Sequence, residues 1–123
     1  MKVIPTKVHA ILDYIEGVAL FFAPEIFGFS NVGGAAVLIP RLLGLGIIAY
    51  SLITDYEYSV AKILPVRQHL LIDIAAAIFL ALSPFLFGFY GPATNVWLPH
   101  VVVGAAVVLI GLMTRTEPER SNK

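Results

Sequence analysis

The chain has no cysteine, which excludes disulfides, thiolate zinc sites, iron–sulfur clusters and cysteine nucleophiles. Charge is nearly as scarce: Asp, Glu, Lys and Arg make up only 13% of residues, and eight basic side chains cancel eight acidic ones. No net field argues for nucleic acid or an acidic partner, and nucleic acid is not expected to bind. No nucleophile paired with a base, no glycine-rich phosphate cradle and no cofactor fingerprint is visible, so the pattern argues against an enzyme.

Apolar side chains fill the space these absences leave. They account for 59% of the 123 residues, and mean hydropathy is +0.88. A soluble fold of this size could not bury that much apolar surface, whereas a bilayer accepts it through helices of about 20 apolar residues spanning roughly 30 Å. Four such segments are predicted: about Val8 to Phe22, Ala35 to Thr54, Gln68 to Leu82 and Trp97 to Met113, with Trp97 as an interface anchor. Pro24 and Pro84 are expected to close the first and third, and Pro40 to sit in the first turn of the second or kink it. Ser30 to Gly34 and Tyr90 to Val96 read as outer turns, and Tyr56 to Leu64 as a brief interfacial helix before Pro65. Lys2 and Lys7 ahead of an apolar run have the look of a signal peptide, but Asp13 and Glu16 interrupt the run and no small-x-small cleavage site follows.

The chain repeats itself at a spacing of 60 residues. Ile4 to Asp13 reads IPTKVHAILD and Leu64 to Asp73 reads LPVRQHLLID. The same offset pairs Pro5 with Pro65, His9 with His69, Asp13 with Asp73, Pro24 with Pro84, Gly28 with Gly88, Gly44 with Gly104, Thr54 with Thr114 and Glu57 with Glu117. One membrane domain over 1–123 is therefore expected, with repeat one at 3–57, repeat two at 63–117 and a polar tail at 114–123. Two helices per repeat make the copies run in the same sense, giving an all-α four-helix bundle of tandem parallel repeats with a pseudo-twofold axis along the membrane normal. Lys2, Lys7, Lys62, Arg67, Arg115, Arg120 and Lys123 lie on the side of the termini and central loop, leaving only Arg41 opposite. That asymmetry predicts a multi-pass plasma (inner) membrane protein with both termini cytoplasmic.

Ala23-Pro24-Glu-Ile-Phe-Gly-Phe29 and Ser83-Pro84-Phe-Leu-Phe-Gly-Phe89 resemble the SPW-repeat family of small integral membrane proteins, whose Ser-Pro-Trp motif sits near the end of the first helix of a two-helix repeat. The chain departs from the motif at Glu25 and Phe85, where the family has tryptophan, and at Ala23, where it has serine. The resemblance runs through both repeats. It implies a membrane-embedded repeat protein and carries no catalytic residues with it.

On a helix, His9, Asp13 and Glu16 share one face over two turns; His69 and Asp73 repeat the first two, and Ala76 stands at the third position. A charge facing lipid at the bilayer centre costs about 2.5 kcal/mol or more, so this face should point into the bundle or toward the cytoplasmic headgroups. Three readings of His9, Asp13, His69 and Asp73 stand open. In a structural clasp, each aspartate accepts hydrogen bonds from its own helix's histidine, from Lys7 or Arg67, or from the other repeat. A proton relay would run through His9, Asp13 and Glu16, and a metal would lie between the two His and two Asp, although no Glu-x-x-His signature is present. Glu16, about 10 Å deeper than His9 and not copied in the second repeat, is expected to be protonated or bonded to a tyrosine, with Tyr50 the partner at comparable depth. Glu25 and Arg41 are expected to pair on the outer side, and His100 to be an interfacial side chain.

Small residues at Gly44, Gly46, Gly104 and Gly111 let helices approach closely, either within the chain or in a homo-oligomer. Two functions follow. One is a non-enzymatic structural or partner-binding module, held in the lipid bilayer and acting on a membrane protein partner. The other is a small transporter or proton-conducting unit using the His/Asp/Glu cluster.

Overall fold

The computed structural model describes residues 2–117, so the far end of the expected tail, 118–123, lies outside the described residues. Five helices follow one another, α1 (Thr6–Phe21), α2 (Ala23–Ile26), α3 (Gly34–Leu52), α4 (Val66–Leu86) and α5 (Thr94–Met113). Among the described residues there is no strand, only two isolated parallel bridges, Ile4 with Thr114 and Thr54 with Leu64. α1 packs along α3 and α4 along α5, and α3 meets α4 between the two pairs.

The prolines begin and shape these helices. Pro5 and Pro65 sit in extended geometry at the N-caps of α1 and α4, and their carbonyls accept the first helical bonds from the His9 and His69 amides, at 3.0 and 3.1 Å. At the far ends, Phe-Gly-Phe closes α2 and α4 in the same way. Gly28 and Gly88 take φ of +74° and +75°, and the Phe29 and Phe89 amides reach back to the carbonyls of Pro24 and Pro84, at 2.7 and 2.9 Å. Only glycine enters that left-handed region without cost, which accounts for the motif.

Pro24 and Pro84 nevertheless have different outcomes. α4 does not stop at Pro84, as the sequence suggests, but runs on to Leu86, because the Ser83 hydroxyl donates to the Leu80 carbonyl at 2.7 Å. That carbonyl is the one that loses its partner when residue 84 has no N–H. Ala23 has no hydroxyl to offer Leu20, and the helix breaks at Phe22 into α1 and α2. Pro40 lies well inside α3, neither in its first turn nor at its entrance. The carbonyl it orphans, Ala36, accepts a hydrogen bond from His100 Nε2 at 3.1 Å.

The expected interfacial helix between Tyr56 and Leu64 is absent. That segment instead caps α3: the Val60 and Ala61 amides donate to the Leu52 carbonyl, and those of Ile63 and Leu64 to Ile53. Carbonyls left free at a helix C-terminus need donors, and the loop supplies them better in extended form than coiled. Val3 and Ile4 do the same for Met113 at the end of α5, at 2.8 and 2.9 Å.

Backbones touch where glycine permits it. A Cβ at Gly44 would lie 2.5 Å from the Gly17 carbonyl, and one at Gly104 would lie 2.6 Å from that of Ala77, so α1 meets α3 and α4 meets α5 at near-minimal separation. Outward, the helices present Ile15, Leu38, Leu42, Leu45, Leu71, Ile78, Val102 and Leu109, all exposed. Leucines turned outward all round a bundle face lipid, not water. Three helices, α3, α4 and α5, are long and apolar enough to cross a membrane, while the 16 residues of α1 reach only about 24 Å. The protein is an all-helical, multi-pass membrane protein.

If the Ser83 hydroxyl carries α4 through Pro84, Ser83→Ala should lower stability by about 1–2 kcal/mol, because a buried carbonyl is left unpaired. Ala23→Ser should join α1 to α2. Thermal unfolding in detergent and amide exchange at Phe21 and Phe22 would register both effects, and unchanged stability in Ser83→Ala would refute the assignment.

Candidate functional site

Helix starts at Pro5 and Pro65 put His9 and His69 at the end of the first turn and Asp13 and Asp73 one turn further, on the faces of α1 and α4 that meet. All four side chains are at most 3% exposed. They close into a ring by crossing over. His9 Nε2 lies 2.8 Å from Asp73 Oδ2 and 3.1 Å from its own helix's Asp13 Oδ1, and His69 Nε2 lies 2.8 Å from Asp13 Oδ2 and 3.1 Å from Asp73 Oδ2. The shorter contact of each histidine is the one to the other helix. Lys7 and Arg67 point outward and are exposed, so they leave the carboxylates to the histidines and to two tyrosines.

Those tyrosines are Tyr50, whose hydroxyl donates to Asp73 Oδ1, and Tyr56, which donates to Asp13 Oδ2 at 2.9 Å. Tyr50 is thus taken by Asp73 and is not the partner of Glu16 that its depth suggests. Behind the ring, His9 Nδ1 meets Thr114 Oγ1 at 2.8 Å and His69 Nδ1 meets Thr54 Oγ1 at 2.6 Å. Each threonine hydroxyl already donates its single hydrogen to a carbonyl one turn back, Ile110 or Tyr50, both at 2.6 Å. Each can therefore only accept from its histidine, which places a proton on both Nδ1 atoms and aims both Nε2 atoms at the carboxylates.

Thr54, Thr114 and Tyr56 are not singled out as site residues by sequence reasoning. The signal was there for the threonines, which keep the 60-residue spacing of the histidines they hold. Tyr56 carried none: it sits in a loop, and only the fold turns it under α1, with 1% exposure. Thr6, also buried, ties the start of α1 to the same loop by donating to Glu57 at 2.8 Å.

Glu16 stands apart from the ring and is half-buried, so the fully buried carboxylates are Asp13 and Asp73. It lines two spaces. One is a cavity of about 250 Å³ among Leu20, Ala23, Phe29, Pro40, Leu80 and His100. The other is a gap of about 10 Å³, on whose wall Asp73 also lies. His100 is not interfacial: it is buried, its ring against Phe29 and Phe89, and it joins α5 to α3 through Ala36. At the end of the bundle away from the ring, Arg41 grips Glu25 with both terminal guanidinium nitrogens, at 2.6 and 3.2 Å, and donates to the Phe21 carbonyl at 2.7 Å, which caps α1. Hydrogen bonding from Arg41 holds the Glu25 carboxyl below the usual carboxylate range.

Chemically, the ring offers two imidazole nitrogens and two carboxylates whose ligating atoms all lie within 4.8 Å of one another. Such a set can bind protons, bridge helices or hold a cation. Because Thr54 and Thr114 take the Nδ1 protons, Thr54→Val or Thr114→Val should cost about 1–3 kcal/mol through an unpaired buried N–H. Nitrogen-15 shifts of the histidine rings should then show the Nδ1 protonation lost or redistributed, whereas unaltered shifts would contradict the proton placement.

Comparison with known proteins agrees with this architecture as far as it goes. No curated protein and no solved structure matches the chain. The family model of the SPW repeat domain matches residues 7–114, from the start of α1 to the threonine that holds His9. The chain belongs to the SPW repeat family.

Proposed function

We propose that the protein is a non-enzymatic membrane module in which two tandem two-helix repeats, four spans in all, are locked together at their cytoplasmic end to present the central loop and the termini to a membrane protein partner. The observation that carries this reading is the crossing of the ring: each histidine bonds more closely to the aspartate of the other repeat than to its own, and each Nδ1 is held by a threonine of the other repeat. The two shortest His–Asp contacts, both His–Thr contacts and the Tyr50–Asp73 bond thus tie one hairpin to the other. The matching proline caps, Phe-Gly-Phe ends, glycine contacts and loop bridges 60 residues apart support a parallel repeat related by an axis along the membrane normal. Lys2, Lys7, Lys62, Arg67 and Arg115 gather at the end that holds the ring, which supports a cytoplasmic placement in the plasma membrane.

A second reading, a small proton-conducting or transport unit, draws on one specific feature. Glu16 lines both the 250 Å³ cavity of the outer half and the 10 Å³ gap beside Asp73, a gap with room for about one water. A carboxyl so placed would link the outer cavity to the ring.

Because the chain has no cysteine, single cysteines report topology cleanly. Lys2→Cys and Lys62→Cys should label only from the cytoplasmic face and Asn95→Cys only from the other; any reversal refutes the orientation. Replacing Asp13 or Asp73 by Asn should lower stability by about 3–5 kcal/mol, as breaking a buried ionic cluster does, and unaltered melting would defeat the clasp. In liposomes the intact protein should carry no proton current. Flux that vanishes in Glu16→Gln with the fold intact would instead establish the second reading.

A further inference from the structure

The ring leaves one atom without a proper partner. His69 Nε2 belongs to a residue with no exposed surface and makes no aligned hydrogen bond, although Asp13 Oδ2 lies 2.8 Å away and Asp73 Oδ2 3.1 Å away. With its Nδ1 proton given to Thr54, His69 has only Nε2 to offer the two carboxylates. His9 likewise has Nδ1 on Thr114 and Nε2 between Asp73 and Asp13, but its Nε2 is aligned on Asp73 Oδ2 at 2.8 Å. Ring nitrogens and carboxylates at a common centre hold together only if positive charge lies between them, either a proton on each Nε2, as in the 2.8 Å bond from His9 Nε2 to Asp73 Oδ2, or a cation in its place.

We propose that His9, Asp13, His69 and Asp73 form a closed site for one divalent transition ion of the zinc type. This deepens the clasp reading above and rests on it, since the ion would be what the two repeats share. The site has the parts that such an ion needs. Its ligand atoms lie within 4.8 Å of one another, two of nitrogen and two of oxygen, and imidazole in the set favours zinc, iron or nickel over magnesium or calcium. Each ligating histidine donates its other ring N–H to a fixed acceptor, which is how metal-bound imidazoles are oriented. The carboxylates are oriented in turn by Tyr50 and Tyr56.

Geometry and charge both permit it. Around a tetrahedral zinc the ligand atoms sit roughly 3.3 Å apart; the His–Asp contacts of 2.8 to 3.1 Å would open by a few tenths of an ångström, and the other ligand pairs would close from at most 4.8 Å. Two carboxylates neutralise one divalent ion, and a neutral assembly is far cheaper than bare charges in a membrane protein's interior. Four protein ligands complete a tetrahedron, the pattern of a structural ion and not of a catalytic one.

The test uses the full chain without a polyhistidine tag, purified in mild detergent with no chelator and assayed by elemental mass spectrometry. About one equivalent of zinc, iron or nickel per chain is expected. After stripping, added Zn2+ should raise the melting temperature, and Co2+ should produce the intense visible absorption of a tetrahedral site. Asp13→Asn and His69→Gln should each weaken Co2+ binding at least about tenfold, while Glu25→Gln at the outer end leaves it unchanged. Should a variant fail to fold, the Co2+ spectrum of the unaltered protein still decides. Wild-type protein with no bound metal and no Co2+ spectrum overturns the proposal, as does metal bound equally by the ring variants. If metal is absent but Asp13→Asn still melts lower, the clasp stands and the ion falls. Metal bound by the wild type together with unaltered melting of Asp13→Asn would retain the ion and remove the clasp.

Discussion

Everything at one end of this bundle follows from four ionisable side chains that have only each other, two tyrosines and two threonines for partners. A buried aspartate in a membrane protein cannot lean on water, so its oxygens must be satisfied by neighbours in fixed positions. Crossing the pairs between α1 and α4 does this and joins two hairpins that are otherwise each complete. The requirement then spreads outward. Thr54 and Thr114 must close their helices where the histidines can reach them, and the loop after α3 must fold back so that Tyr56 comes under Asp13. The loop's extended form, with its amides on the Leu52 and Ile53 carbonyls, is the form that allows both.

Besides Pro99 inside α5, three prolines interrupt the helices, Pro24, Pro40 and Pro84, and the same rule of complete satisfaction explains them. Each removes a donor from the carbonyl four residues back, and each case is resolved by what stands nearby. Ser83 supplies a hydroxyl beside Pro84, and α4 continues. His100 supplies an imidazole from another helix for the carbonyl opposite Pro40, which makes a local defect into a tertiary contact. Beside Pro24 there is only Ala23, and the chain breaks into α1 and α2. That break leaves the Phe21 carbonyl for Arg41, whose guanidinium also holds Glu25.

The readable part of the sequence was the part written in periodicity and offset. Spacing of four between His9 and Asp13 and between His69 and Asp73 placed both pairs on helix faces, and the 60-residue offset marked them as copies of one pattern without deciding whether they converge. Depth alone misled where angle around the helix matters: Tyr50 stands at the level of Glu16 but faces Asp73. Apolar residues with a few charges suggested a helix for Tyr56 to Leu64, yet amphipathic pattern does not register the pull of unpaired carbonyls at the end of α3. His100 follows a proline near a helix start and so read as interfacial, because nothing local announces that Ala36 on another helix lacks a donor.

By itself the sequence determined the solvent, the helical content and the family motifs, since these depend on composition and on spacings that repeat along one chain. It also determined that two histidines and two aspartates would recur in equivalent places. Only the tertiary structure decided that these recur into contact, that each histidine prefers the other hairpin's aspartate, and that threonine hydroxyls hold the Nδ1 protons so that Nε2 faces inward. The physical reason is that a hydrogen bond's direction and a tautomer depend on atoms brought within about 3 Å by packing, and residues 60 and 105 positions apart in the chain carry no local record of that approach.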